Sequence, residues 1–368
     1  MNPSNSRQGR QKFFTWVVVG CTALAVGYTS WVILRADAGA ELVQSPAQGV
    51  PPPIAGSEAL KMIQNGPHLV FLNEEEPYIG QVKLAALDPS LSRTCPAPVP
   101  DGKVSGSGRC QGSAQTALPC GRIHYAGGSG ICLMYDSSAP DALTHVTLFG
   151  SDFTPRHQFT VEGILSRARI SPDGKYAAFT VFVSGHSYQD ANMSTATVLL
   201  DTTTGASLGN LEEFETRKDG RVFQAPEFNF WGVTFAQDSN RFYATLQNGK
   251  KIYLVQGDVP SRKLTVLHEN VECPSLSPDG TRLAFKKLIP PGNWQLTVLD
   301  LATMKEFPLA ETESIDDQVE WLDNNHILYE KIDYDPPKWV SVFVLPADGS
   351  GKPEIFMPNA ASPAVVRQ

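Results

Sequence analysis

The segment ISPDGKYAAFTVFV, Ile170–Val183, has a near copy in LSPDGTRLAFKK, Leu276–Lys287, and this duplication limits what the chain can become. In each copy a four-residue turn follows an apolar residue and precedes a run alternating apolar with small or polar residues. Pro172 and Pro278 preset φ near about −65°, suited to the first central position of a type I turn. Asp173 and Asp279 can hydrogen-bond the local backbone, and Gly174 and Gly280 can take the left-handed conformation that a bulged hairpin needs. The pattern is strand, tight turn, strand, used at least twice.

Two weaker copies align on the same aspartate: Phe235–Thr245 around Asp238 and Trp321–Glu330 around Asp323. Four and six residues past each marker stand apolar or small residues: Ala177 and Phe179, Phe242 and Ala244, Leu283 and Phe285, Ile327 and Tyr329. That is one buried face of a period-two strand. In the weak copies Asn240 and Asn324–Asn325 are expected to replace the glycine, since Asn tolerates the left-handed region. A third strand and a shorter fourth follow each marker, and the markers lie 65, 41 and 44 residues apart. Four strands per unit of about 40–45 residues mark a β-propeller blade. The long first interval accommodates an insertion at Gly205–Pro226, whose charged run Glu212–Arg221 reads as a solvated excursion.

A further blade starts at Arg122–Tyr125 and Ile131–Tyr135. Ser362–Val366 resembles a blade's opening strand but has none after it; His68–Leu72 and Ile79–Leu87 can supply them. The expected fold is therefore all-β: a six-bladed propeller of four-stranded blades spanning residues 67–368, closed by its own ends, which removes open sheet edges. Residues 88–119, rich in Pro, Gly and Ser, read as a Cys-containing surface loop.

The SPDG turns, with LAF at Leu283–Phe285 and LDLAT at Leu299–Thr303, resemble the TolB-type propeller repeat, strongly in two blades and weakly in the others. The resemblance implies the propeller fold and leaves function open, because unrelated activities share this scaffold. TolB proteins carry a separate N-terminal α/β domain that helps them join an envelope complex. Here an apolar segment and a linker stand before the propeller instead.

The N-terminal segment sets the expected compartment. Arg7, Arg10 and Lys12, within a tail at residues 1–12, precede 22 charge-free residues, Phe13–Leu34. As a helix these span ~33 Å, matching a hydrocarbon core of about 30 Å. Trp16, Tyr28 and Trp31 lie toward the ends, where aromatic rings favour the interface. The expectation is one transmembrane helix, the basic tail inside and the propeller on the extracytoplasmic side, joined by a linker at 35–66 with a short helix at Glu58–Asn65. Ala36-Asp37-Ala38 offers the alternative of a cleaved signal and a secreted or periplasmic protein. Val18-Val19-Gly20-Cys21 resembles a lipoprotein box.

With 42% hydrophobic and 18% charged residues, the chain can bury a substantial core. The net charge of −8 becomes −12 once residues 1–35 are set aside, and no basic stripe exists to meet a phosphate backbone, so nucleic acid is excluded as a partner. Cys95, Cys110, Cys120 and Cys132 fall within 38 residues of the exported part, and an even number there favours disulfides over a zinc knuckle. Three pairings are possible; hairpin spacing favours Cys110–Cys120 with Cys95–Cys132. Cys273 reads as a buried small residue. The seven histidines are scattered, Gly185–Gln189 lacks the last glycine of a nucleophile elbow, and the acids at Glu74–Glu76, Asp316-Asp317 and Asp333/Asp335 read as solvated loop residues. No cofactor, metal set or catalytic constellation is legible. The expected role is binding an envelope protein or ligand, with a channel-sited metal-dependent hydrolase or lactonase as the rival.

Overall fold

Each marker aspartate closes its own turn. Asp173 Oδ1 accepts from the Lys175 amide at 3.0 Å and Ser171 Oγ at 2.7 Å, and Asp279 Oδ1 likewise from Thr281 and Ser277 at 3.0 and 2.6 Å. Asp238 accepts from the amides of Asn240 and Arg241, and Asp323 from those of Asn325 and His326. Gly174 and Gly280 have φ of +76° and +71°. In the third copy the left-handed residue is Ser239 (φ +59°), directly after Asp238, and not Asn240; neither Asn324 nor Asn325 has positive φ. In three of the four copies the left-handed residue is the one directly after the aspartate, whether glycine or serine; the fourth copy turns without one.

The structure, a computed structural model, describes residues 43–44, 58–87, 113–139, 141–190, 192–333 and 339–367. It is an all-β, six-bladed propeller of four-stranded blades. Blade 1 comprises Arg122–Ala126, Ser129–Asp136, Leu143–Gly150 and Pro155–Glu162, from axis to rim; blade 2 comprises Ile164–Ile170, Tyr176–Ser184, Ser194–Asp201 and Ser207–Asn210. Blade 3 runs Phe228–Phe235, Arg241–Asn248, Lys251–Asp258 and Lys263–Glu269; blade 4 runs Glu272–Leu276, Arg282–Ile289, Asn293–Asp300 and Lys305–Pro308. Blade 5 is Glu320–Trp321, His326–Asp333, Trp339–Pro346 and Glu354–Met357. Blade 6 takes its inner strand, Ala360–Val366, from the C-terminal side and its other three, His68–Asn73, Gln81–Ala86 and Ser113–Pro119, from the N-terminal side. Because every blade is antiparallel, turns from first to second strand gather at one end, here the turn end. Second-to-third connections and crossings between blades gather at the other, the loop end.

Several expectations need correction. Ser113–Pro119 is the outer strand of blade 6, with Ala114, Thr116 and Leu118 buried, so the loop at 88–119 ends before it. The charged run Glu212–Arg221 is not merely solvated: Glu215–Lys218 pairs parallel with Lys263–Glu269 and, with Arg221–Val222, extends the rim of blade 3. Parallel pairing covers an edge that would otherwise be free. On blade 1, Val43–Gln44 pairs with Phe159 and Thr160.

The cysteine pairing also differs. Cys120 bonds Cys132, with α-carbons 5.5 Å apart, and not Cys110. A straight strand would carry Cys120 away from Cys132. Instead the strand begins at Arg122, and the chain bends just before it: the Cys120 amide donates to Gly80 O at 2.8 Å and the Gly121 amide to Leu133 O at 2.7 Å. Cys95 and Cys110 lie outside the described residues, as does Phe13–Leu34; no helix among the described residues is long and apolar enough to cross a membrane. Cys273 is buried, with its thiol free.

The core lies between blades. Tyr176, Ala178 and Leu199 of blade 2 pack on Phe230, Phe235 and Phe242 of blade 3, and Leu296 and Val298 of blade 4 on Trp321 and Tyr329 of blade 5. Each large apolar side chain so buried stabilises by about 1.5–3 kcal/mol. The helix Glu58–Gln64 sets Leu60 and Ile63 into the seam of blades 6 and 1. Blade 6 is sealed by pairs such as His68 with Val366 and Val70 with Ala364. Ser362 Oγ then ties it to blade 1, accepting from the Ile123 amide at 3.0 Å and donating to its carbonyl at 2.9 Å.

Candidate functional site

Short inner strands with alternating side chains direct every second residue to the axis. Blades 1 and 2 send bases there, and blade 5 sends acids. Toward the loop end, Arg122 meets Asp317 at 3.4 Å and Glu330 at 2.8 Å, and Arg167 meets Asp316 at 2.9 Å. Asp316 also takes the ammonium of Lys286, whose side chain is wholly buried and lies 3.9 Å from the Trp294 ring centroid and 4.5 Å from that of Tyr188. Such cation–π contacts replace part of the hydration lost on burial. Burial pushes Asp316 upward, but Lys286 and Arg167 outweigh it and hold its carboxyl below the usual range. Glu272 accepts from Trp294 Nε1 at 2.9 Å; its burial outweighs the pull of Lys286, and its carboxyl is raised.

Deeper in, Arg169 of blade 2 reaches Glu320 of blade 5 at 3.3 Å and donates to Val319 O at 2.7 Å. His124 Nε2 lies 3.7 Å from the same carboxylate. The Ile170 amide donates to His124 Nδ1 at 3.0 Å, so the neutral ring carries its proton on Nε2, facing Glu320. Burial, reinforced by Arg169, lowers the His124 pKa. Burial would raise Glu320, but Arg169 and then His124 outweigh it and hold it at about 2. Gln318 bridges blades 3 and 4, donating to Val233 O at 3.0 Å and Pro274 O at 2.8 Å.

At the turn end the channel widens to a cavity of about 470 Å³ to which all six blades contribute, among them His124, Arg169, Gln237, Pro278, Glu320 and Arg367. Its rim is the ring of marker turns. The Asp173 amide donates to Ser239 Oγ at 3.3 Å, Gln237 Nε2 to Pro278 O at 3.2 Å, and the Asp279 amide to Asn324 Oδ1 at 3.1 Å, stitching blades 2 through 5. Pro172 and Pro278 line the cavity, while Asp173, Gly174, Asp279 and Gly280 shape its rim.

Reading Asp316-Asp317 as solvated loop acids was wrong for Asp317, which is buried, and incomplete for Asp316, which serves two buried cations. Of the scattered histidines, His124 is the one lining the cavity. Among the described residues no three or more His, Cys, Asp and Glu side chains group as metal ligands. The elbow-like loop around Ser187 is a strap: Asp190 accepts from the amides of His186 and Ser187, and Gln189 donates across blade 3 to Gly292 O at 2.6 Å. Under it Tyr188 stacks on Trp231 at 4.9 Å. The alternation of Arg122, His124, Arg167 and Arg169 along two inner strands was the signal that could have located the channel.

No protein-family model matches the sequence, and no curated protein matches it. Among solved structures it is similar to TolB from Acinetobacter baumannii, at 13% identity and a TM-score of 0.50 over 82% of this chain and 67% of that one. TolB from Agrobacterium tumefaciens aligns at 15% identity and a TM-score of 0.44, covering 67% and 83%. Oligogalacturonate lyase in complex with manganese aligns at 9% identity and a TM-score of 0.41, covering 60% and 62%. At such identities the likeness is one of fold. In fold, then, the chain is a repeat propeller closed by its two ends, and within that class it is TolB-like.

Proposed function

We propose that the protein is a membrane-anchored, extracytoplasmic binding module of the cell envelope, acting by holding a protein or ligand and not by catalysis. One observation carries the reading: four bases at or beside the axis face carboxylates from other blades, while Arg367 at the turn-end mouth donates to the Trp321 carbonyl. Arg122, Arg167, Arg169 and Lys286 each have a carboxylate partner, and Glu320 is held ionised by Arg169. A general base needs a proton to take and a nucleophile needs a base beside it. Groups locked in cross-axis pairs hold a ring together and leave its two mouths to recognise partners. Phe13–Leu34, charge-free behind three basic residues, supports anchoring, and the Cys120–Cys132 disulfide suits an oxidising compartment.

The test is fractionation of cells expressing the full chain. It should sediment with membranes, resist high-salt extraction, yield to mild detergent, and then migrate in a complex larger than its own 40.0 kDa. Migration at the monomer mass after every mild extraction counts against the binding role. Stoichiometric divalent metal retained by the purified chain would shift the reading to a propeller hydrolase or lactonase.

A further inference from the structure

The two ends of the propeller present different surfaces. Nine large apolar side chains are exposed among the described residues, and six of them stand at or beside the connection between a blade's second and third strands. These are Tyr78 and Ile79 on blade 6, Tyr135 on blade 1, Val183 on blade 2, Leu288 on blade 4 and Ile332 on blade 5, each 37–53% exposed. Met62, Val222 and Ile355 lie on the helix, the rim of blade 3 and the outer strand of blade 5. None of the nine lies in a marker turn. Blade 3 has Asn248-Gly249-Lys250-Lys251 at the equivalent place.

Charge divides the loop end further. The connections and crossings of blades 5, 6, 1 and 2 expose Glu75, Glu76, Asp141 and Glu162. Among the described residues, the second-to-third connections of those blades and the crossings from blade 5 through to blade 2 carry no exposed lysine or arginine; the crossing from blade 2 to blade 3 exposes Arg217 and Arg221 at the rim of blade 3. Lys331 is mostly buried and bound to Glu313 at 2.5 Å, and Arg122 is committed to Asp317 and Glu330. Blades 5, 6, 1 and 2 therefore form an arc of separated apolar side chains, with acids that are unpaired among the described residues on blades 6 and 1. Apolar residues recurring at one structural position on successive blades are a surface built by the repeat.

We propose that this arc docks a protein partner whose contact face is basic and carries apolar side chains; the inference rests on the binding role and adds where and with what. An anionic bilayer would meet Glu75, Glu76, Asp141 and Glu162 as like charges, whereas a basic protein face pairs with them while its apolar groups cover the exposed ones. Complementary charge around an apolar centre gives orientation and on-rate more than raw affinity.

The experiment places the photo-crosslinker p-benzoylphenylalanine in the full chain, in its own membranes. Loop-end sites are Ile79, Tyr135, Val183 and Ile332; turn-end sites are Lys175 and Lys305. The expected result is one shared protein adduct from the loop-end sites, with the crosslinked peptide rich in Lys and Arg. Yield should fall at least about tenfold as salt rises from about 0.05 to 0.5 M. It should fall similarly in the variant Glu75→Lys, Glu76→Lys, Asp141→Lys, Glu162→Lys, whose exposed positions leave unfolding unchanged. Lipid adducts, an acidic crosslinked peptide, or full yield from the reversed variant would overturn the proposal. Adducts from turn-end sites alone would sink it while leaving the binding role standing; none from either end would sink both.

Discussion

Gly174 of blade 2 sits directly against Gly127 of blade 1: a Cβ on Gly174 would stand 2.4 Å from the Gly127 carbonyl oxygen. Gly280, in the twin turn of blade 4, has the same handedness but nothing within 4 Å of that position. Gly280→Ala should therefore cost about 1–2 kcal/mol, the left-handed penalty alone. Gly174→Ala adds a backbone collision, a further about 1–3 kcal/mol of overpacking. Denaturant unfolding of the two variants checks this, and equal losses would deny the contact between the turns.

Ser362 holds blade 6 to blade 1 through both polar groups of Ile123. Ser362→Ala leaves a buried amide and carbonyl short of a partner, a loss of about 1–3 kcal/mol. Deleting 360–368 removes the whole inner strand of blade 6 and should abolish cooperative unfolding. A truncated chain that melts like the intact one would exclude the shared blade.

Cys120→Ala and Cys132→Ala should each cost about 2–4 kcal/mol, and the double variant no more than either, since one bond is lost once. Melting under non-reducing conditions reads this, and peptide mapping should recover the 120–132 link. Recovery of Cys120 joined to Cys110 would restore the pairing the sequence had suggested.

The Arg169–Glu320 pair makes stability pH-dependent with a defined sign. Glu320 is held at about 2, below its usual 4.5, so its contribution is complete above about pH 4.5 and disappears as pH falls toward about 2. His124, buried and lowered from 6.5, adds stability above that value and loses it on acidification. Glu272 is raised by burial, costs stability at neutral pH and is relieved by acid. Glu320→Gln should thus destabilise by about 3–5 kcal/mol at neutral pH, because Arg169 is left buried without its counter-charge. Its gap from the unaltered protein should close between about pH 4.5 and 2. A gap that stays constant across that range would mean Glu320 is not the group that titrates.

The turns were legible because their bonds are local: Asp173 and Asp279 cap amides two residues away, so sequence order alone reveals them. Blade 6 was legible because an orphan strand at the C-terminal side and unpaired strands at the other have only each other. The channel was not. Arg169 and Glu320 stand about 150 positions apart, and an acid in a crossing looks the same in sequence whether it faces solvent or the axis. Ser113–Pro119 was hidden by composition, since Ala, Thr and Leu alternate there beside a Pro- and Gly-rich stretch. The Cys120–Cys132 bond depended on a bend at Gly121 that no periodicity announces.

Because one blade is assembled from distant portions of the chain, an emerging polypeptide must wait before its first sheet can be finished. Strand His68–Asn73 is made well before its neighbour Ala360–Val366, with the other five blades in between. At ordinary synthesis rates that leaves a naked hydrogen-bonding margin for on the order of tens of seconds. Newly made molecules should therefore be the ones most in need of a chaperone, and prematurely terminated ones the ones most readily destroyed.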